Sequence, residues 1–170
     1  MGRLQTVMLK IASDEVGIRE EGGENHGPRI LQYMRATWMP DESNKAGYPW
    51  CAAFVCWVVT EAVRALQLPK KDYVYQGADA YGWEKFARKK GWHVLTRDEQ
   101  ALPGDLVIFE FSHIGIVVQD LGPNHYFHTI EGNTNGDGER EGDGVYKKER
   151  ERVSARGNPL VKCFIRLPGG

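Results

Sequence analysis

Residues 48–66 read YPWCAAFVCWVVTEAVRAL. The stretch is apolar on nearly every side through Val59, so it predicts a helix buried in the middle of the fold rather than one lying on a surface. A cysteine, Cys51, stands at its first turn, directly after Pro49 and Trp50. Its position leaves four readings open: packing filler, disulfide partner, metal ligand or nucleophile.

Upstream, residues 3–18 place Leu4, Val7, Met8, Ile11 and Ala12 at helical spacing. EEGGENHGP follows as a loop, Pro28 opens a second helix over 28–39, and Pro40 ends it. Residues 40–49 form a polar turn region. Downstream of the buried helix, a shorter one is expected near 78–91, capped by Gly91. From residue 92 the period changes. DLVIFEF, HIGIVVQD, HYFHTIEG, GVYKKERE and LVKCFIRL read as strands separated by Gly, Pro, Asn and Asp turns. Helices first and strands afterwards predict an α+β domain, with the helices packed on an antiparallel sheet. No repeat or linker divides the chain, so residues 1–170 are expected to be one domain. The charged run 140–156 reads as a solvated hairpin.

With 170 residues, the chain is long enough for a substantial core, and 41% hydrophobic and 26% charged residues are ordinary for a globular protein. A formal net charge of −1 announces no polyanion partner, so nucleic-acid binding is not expected. No apolar run approaches the ~20 residues of a membrane span. The N-terminal residues lack the apolar core and cleavage site of a secretory signal. Gly2 and Thr6 fit the loose N-myristoylation pattern, but that pattern is short and runs straight into a helix.

Cys51, Cys56 and Cys163 cannot all pair, and Cys51 and Cys56 point in different directions from one helix. No CxxC occurs, so a zinc ribbon or a thioredoxin-type motif is unsupported. At a helix start, unpaired N–H groups and the helix dipole favour negative charge, the condition a reactive thiolate needs. Cys56 lies deeper and lacks that advantage. A cysteine nucleophile needs a base, and His113 begins a strand directly after DLVIFEF. His113, Gly115 and Val117 share one strand face, and Gly115 leaves open space beside the histidine, as a cleft requires. A histidine base in turn needs a group to orient its ring. Glu131 and Asn133 are two apart, hence on one side if their strand continues, and either can be that partner. The competing view is that EGNTNGDG is a plain turn.

PWCAAFVCW, then GDLVIFEFSHIGIVV, then IEGNTN, in that order, resemble the CHAP family, the cysteine, histidine-dependent amidohydrolases/peptidases. The resemblance covers most of the chain, including the early GIREEGGENHGP segment, typical of a bacterial and phage branch, and the late GDGVYKKER hairpin. It implies a papain-like fold shared with NlpC-type cell-wall peptidases. It also implies Cys51 as nucleophile, His113 as general base, Glu131 as the group orienting the imidazole, and Asn133 as a fourth polar member. The substrate it points to is bacterial peptidoglycan, cut at an amide bond by an endopeptidase or an N-acetylmuramoyl-L-alanine amidase.

The Cys51 backbone N–H is placed to serve an oxyanion. Asn44 and Tyr48, just upstream, are candidates for a second donor, and Tyr48, Trp50 and Trp83 are candidates for a substrate groove. No metal or cofactor is expected. NTNGDG mimics the opening of an EF-hand loop, but Gly144 stands where the loop needs a bidentate Glu. The Asp-rich calcium loop that some family members carry ahead of the cysteine is reduced here to Asp41 and Glu42. His125 and His128 face opposite sides of a strand, which argues against joint zinc ligation. Three settings fit: a phage or prophage endolysin, an antibacterial effector, or a wall-remodelling enzyme. A lysin without a signal is made in the host cytoplasm and reaches the wall through a holin. The chain is expected to act as a monomer. The competing class is an inactive module that binds wall peptides.

Overall fold

The protein, as a computed structural model, is described over residues 2–39, 47–123, 125–136 and 141–169. Helices α1 (Arg3–Asp14), α2 (Pro28–Arg35), α3 (Cys51–Ala65), α4 (Lys70–Tyr73) and α5 (Ala80–Lys89) precede six strands. These are β1 (His93–Leu95), β2 (Leu106–Phe109), β3 (His113–Asp120), β4 (Phe127–Thr134), β5 (Gly144–Arg150) and β6 (Val161–Arg166). All pairings are antiparallel, in the order β1-β6-β2-β3-β4-β5. The architecture is α+β and consistent with a papain-like fold.

The centre of the molecule is α3. Ten of its residues are buried, among them Phe54, Val55, Val58 and Val59, each with no exposed surface. Every apolar side chain of that size taken out of water contributes about 1.5–3 kcal/mol, and for this reason the apolar part of the helix settles here, while Glu61 and Arg64 pair on its outer side. It packs against α1 and α2 on one side and against β3 and β4 on the other. Strand alternation divides the sheet residues between two clusters. Leu106, Ile108, Ile114, Ile116 and Ile130 join the helices, while Val107, Phe109, Val117 and Phe127 form a second cluster with Phe164. Arg150 lies 5.2 Å over the Phe109 ring, and Arg152 lies 5.3 Å over both Phe127 and Phe164.

Three expectations need correction. The second helix stops at Arg35 instead of running on to residue 39. The Thr37 hydroxyl donates to Met34 O at 2.6 Å and Trp38 N turns away to Gln76 O at 2.7 Å, so the chain leaves the helical path early. Strand β1 adds three residues that no periodicity revealed; it exists because His93–Leu95 can pair with β6. The charged run is not wholly solvated. The Arg150 and Arg152 side chains are 12% and 4% exposed and form ion pairs with Glu131 and Asp120.

Among the described residues no helix is long and apolar enough to cross a membrane.

Candidate functional site

Cys51 is the first residue of α3, and Trp50, at the cap position, makes no side-chain capping hydrogen bond. Trp50, just before it, is locked in place: it stacks on Tyr33 with ring centroids 5.5 Å apart, and its Nε1 donates to Glu20 Oε1 at 2.8 Å. Gly132 in β4 lets the helix approach closely, since a Cβ there would lie 2.7 Å from the Trp50 ring and 2.8 Å from Phe54 Cβ. Cys51 keeps 6% of its surface exposed.

His113 opens β3 after a tight turn in which Ser112 adopts φ 60 and its N–H donates to Phe109 O at 3.2 Å. The ring is fully buried and stacks on Phe111, 5.9 Å away and tilted by 15°. Its Nε2 lies 2.9 Å from Glu131 Oε2. A carboxylate can only accept, so Nε2 carries the proton and Nδ1 is left to meet the sulfur. Nδ1 makes no hydrogen bond within ordinary geometric limits, although Cys51 is near enough to act on the charge of the ring. Burial pulls the imidazole pKa down, but the Cys51 sulfur and then the Glu131 carboxylate overcome it and raise it from 6.5 to about 9.

Glu131 has no exposed surface. Burial alone would favour its neutral form, but hydrogen bonds from Arg150 and His113 lower its pKa from 4.5 to about 2. Thr129 Oγ1 also donates to it, at 2.5 Å. Gly115 does not leave open space as the sequence suggested, because the Glu131 side chain fills it.

Asn133 also departs from expectation. It takes φ 57, within a register shift between Glu131 and Thr134, so simple alternation does not put it on the side of Glu131. It is 1% exposed; its Nδ2 donates to Glu141 Oε2 at 3.2 Å, and its Oδ1 has no hydrogen-bond partner among the described residues. An open groove of about 390 Å³ is walled by Glu20, Glu24, Asn25, Glu141, Asp143 and Tyr146. Glu20 links it to Trp50 and Glu141 links it to Asn133.

The aromatic candidates divide. Trp50 and Trp83 are fully buried rather than exposed along a groove; Trp83 packs edge-on to Tyr75, 5.9 Å away. Tyr48 is half-exposed just ahead of the helix. Asn44, with Asp41 and Glu42, lies outside the described residues. Burial pushes the Cys56 and Cys163 thiols up to about 12, and Cys56 Sγ donates to Ala36 O at 3.3 Å, so both behave as packing groups.

Sequence reasoning missed Arg150, Thr129 and Glu20. Exposure alternates along GVYKKER with Arg150 on the less exposed side, which its charged neighbours in sequence conceal. Glu20 sat in a segment read simply as loop.

No curated protein matches the chain. Residues 43–133, more than half of it, match the family model described as CHAP domain, and Cys51, His113, Glu131 and Asn133 all lie inside that span. The chain therefore belongs to the CHAP domain family of cysteine, histidine-dependent amidohydrolases/peptidases.

Proposed function

We propose that, within the peptidoglycan hydrolysis that family membership indicates, this chain cleaves a wall amide bond through a Cys51 thiolate, as an endopeptidase or N-acetylmuramoyl-L-alanine amidase of the endolysin type. The observation that carries this reading is the buried imidazole of His113, held at Nε2 by Glu131 and acted on by the Cys51 sulfur.

In the proposed cycle His113 accepts the Cys51 proton at Nδ1. The sulfur attacks the amide carbon, and a C–S bond forms as the carbonyl electrons move to oxygen. The Cys51 N–H, at the helix start, donates to that oxyanion. When the intermediate collapses the C–N bond breaks, and the imidazolium gives its proton to the leaving amine. Water, deprotonated by His113, then attacks the thioester, releasing the acid and restoring the thiol. Glu131 orients the ring throughout, and Asn133 is the fourth polar member. Residues 1–170 act as one catalytic unit. Gln5 Nε2 donates to Leu167 O at 2.8 Å, tying α1 to the chain just past β6, which supports that view.

The test is turbidity loss of purified sacculi, with mass spectrometry of the fragments to identify the bond. Wild type should clear them and Cys51→Ala should not. Equal clearing by both would overturn the proposal, as would inactivity of both across several wall chemistries.

A further inference from the structure

Glu131 is buried but charged, and the side chain that holds it comes from outside the family match. Each of its oxygens accepts two hydrogen bonds. Oε1 takes Thr129 Oγ1 at 2.5 Å and Arg150 Nε at 2.9 Å. Oε2 takes His113 Nε2 at 2.9 Å and Arg150 Nη2. Arg150 belongs to β5, beyond residue 133 where the match ends. Its guanidinium also covers the ring of Phe109, the residue paired with His113 across β2 and β3.

We propose that Arg150 is a positioning residue of the site: its two-pronged grip fixes the charge and the plane of Glu131, so that the carboxylate can only accept from Nε2 and Nδ1 stays open towards Cys51. This rests on the roles given above to Cys51, His113 and Glu131. A lone positive charge would keep the carboxylate ionised. Only a planar fork also fixes its orientation, and that is the difference between arginine and lysine here. Among the described residues, the titratable and charged groups facing Glu131 are His113 from β3, Arg150 from β5 and, through the imidazole, Cys51 from α3. On β5, Lys148 turns instead to Asn135 O at 3.0 Å, and Tyr146 to Asp143 at 2.6 Å.

Two readouts test the proposal. One is the ¹³C-carboxyl titration of Glu131 by NMR, which needs no activity. The other is kcat/KM on sacculi against pH. In Arg150→Gln, the carboxyl should titrate at least roughly one pH unit higher than in wild type, and the acid limb of kcat/KM should rise with it. Arg150→Lys should return the limb to its wild-type place but leave kcat about ten-fold low, with KM and melting temperature unchanged. An unmoved Glu131 titration in folded Arg150→Gln would overturn the inference. So would equal losses in both variants at every pH. If Arg150→Gln does not fold, Arg150→Lys decides, and wild-type kcat in that variant refutes the fork. Activity retained by Cys51→Ala would sink the function proposal alone, because the NMR titration still judges Arg150.

Discussion

Glu131 occupies the volume that a side chain at Gly115 would need: an added Cβ would sit 2.7 Å from Glu131 Cγ and 3.4 Å from its Cδ. The glycine is the space through which the carboxylate reaches the imidazole. Gly115→Ala should therefore cost about 1–3 kcal/mol in urea unfolding. It should also lower kcat/KM on sacculi about ten-fold or more by displacing the carboxylate. Wild-type values in both measurements would show that Glu131 has slack.

Gly132 faces the other way, onto Trp50 and Phe54. Gly132→Ala should push β4 off the start of α3, costing about 1–3 kcal/mol with a parallel loss of activity. The control is Gly136, whose added Cβ meets nothing within 4 Å among the described residues. Gly136→Ala should stay within about 0.5 kcal/mol of wild type. Matched unfolding curves for both variants would contradict the tight helix–strand contact.

Stability should depend on pH from both sides. Glu131 titrates lower in the folded protein than its ordinary 4.5, so its contribution is present above that value and is lost as pH falls towards about 2. His113 titrates higher than its ordinary 6.5, so its contribution is full below that value and is lost as pH rises through about 9. Unfolding midpoints measured across pH should flatten on the acid side in Glu131→Gln. They should flatten on the alkaline side in His113→Gln and in Cys51→Ala, which removes the sulfur that raises the imidazole. Unchanged slopes in these variants would mean that other groups set the profile.

Arg152 makes a purely architectural prediction. Its Nη2 donates to Asp120 Oδ2 at 2.6 Å, both side chains are almost wholly buried, and the same guanidinium serves Gly122 O and Arg97 O. Arg152→Ala strands a buried carboxylate and should cost about 3–5 kcal/mol, measured by denaturation. Below its melting point the variant should keep wild-type kcat/KM. A selective loss of kcat with normal stability would tie that end of the sheet to catalysis.

Much of this was legible in the amino-acid order. The apolar run after Pro49 could only be an interior helix, and the change of period after residue 92 marked where strands begin. Cys51 stood out because a thiol at a helix start is chemically unlike Cys56 one turn deeper. What stayed hidden depended on partners far away in the chain. Arg150 looked solvated because its own neighbours are charged; only the register of β5 on β4 turns it inward. Trp50 was placed beside a groove because it adjoins the cysteine, but Tyr33 and Glu20, both distant in sequence, enclose it. Asn133 was given the side of Glu131 by counting in twos, and the register shift breaks that count.

Strand β6, which follows the other five described strands in the chain, is hydrogen-bonded on both flanks, between β1 and β2. Until it emerges from the ribosome, β1 lacks its strand partner and β2 presents an open edge. Both are invitations to pair with another chain. Closing the sheet then requires contacts between segments far apart in sequence, a slow step in folding. The proposed reaction centre, whose members all precede residue 151, is thereby made to wait for a strand that carries none of them.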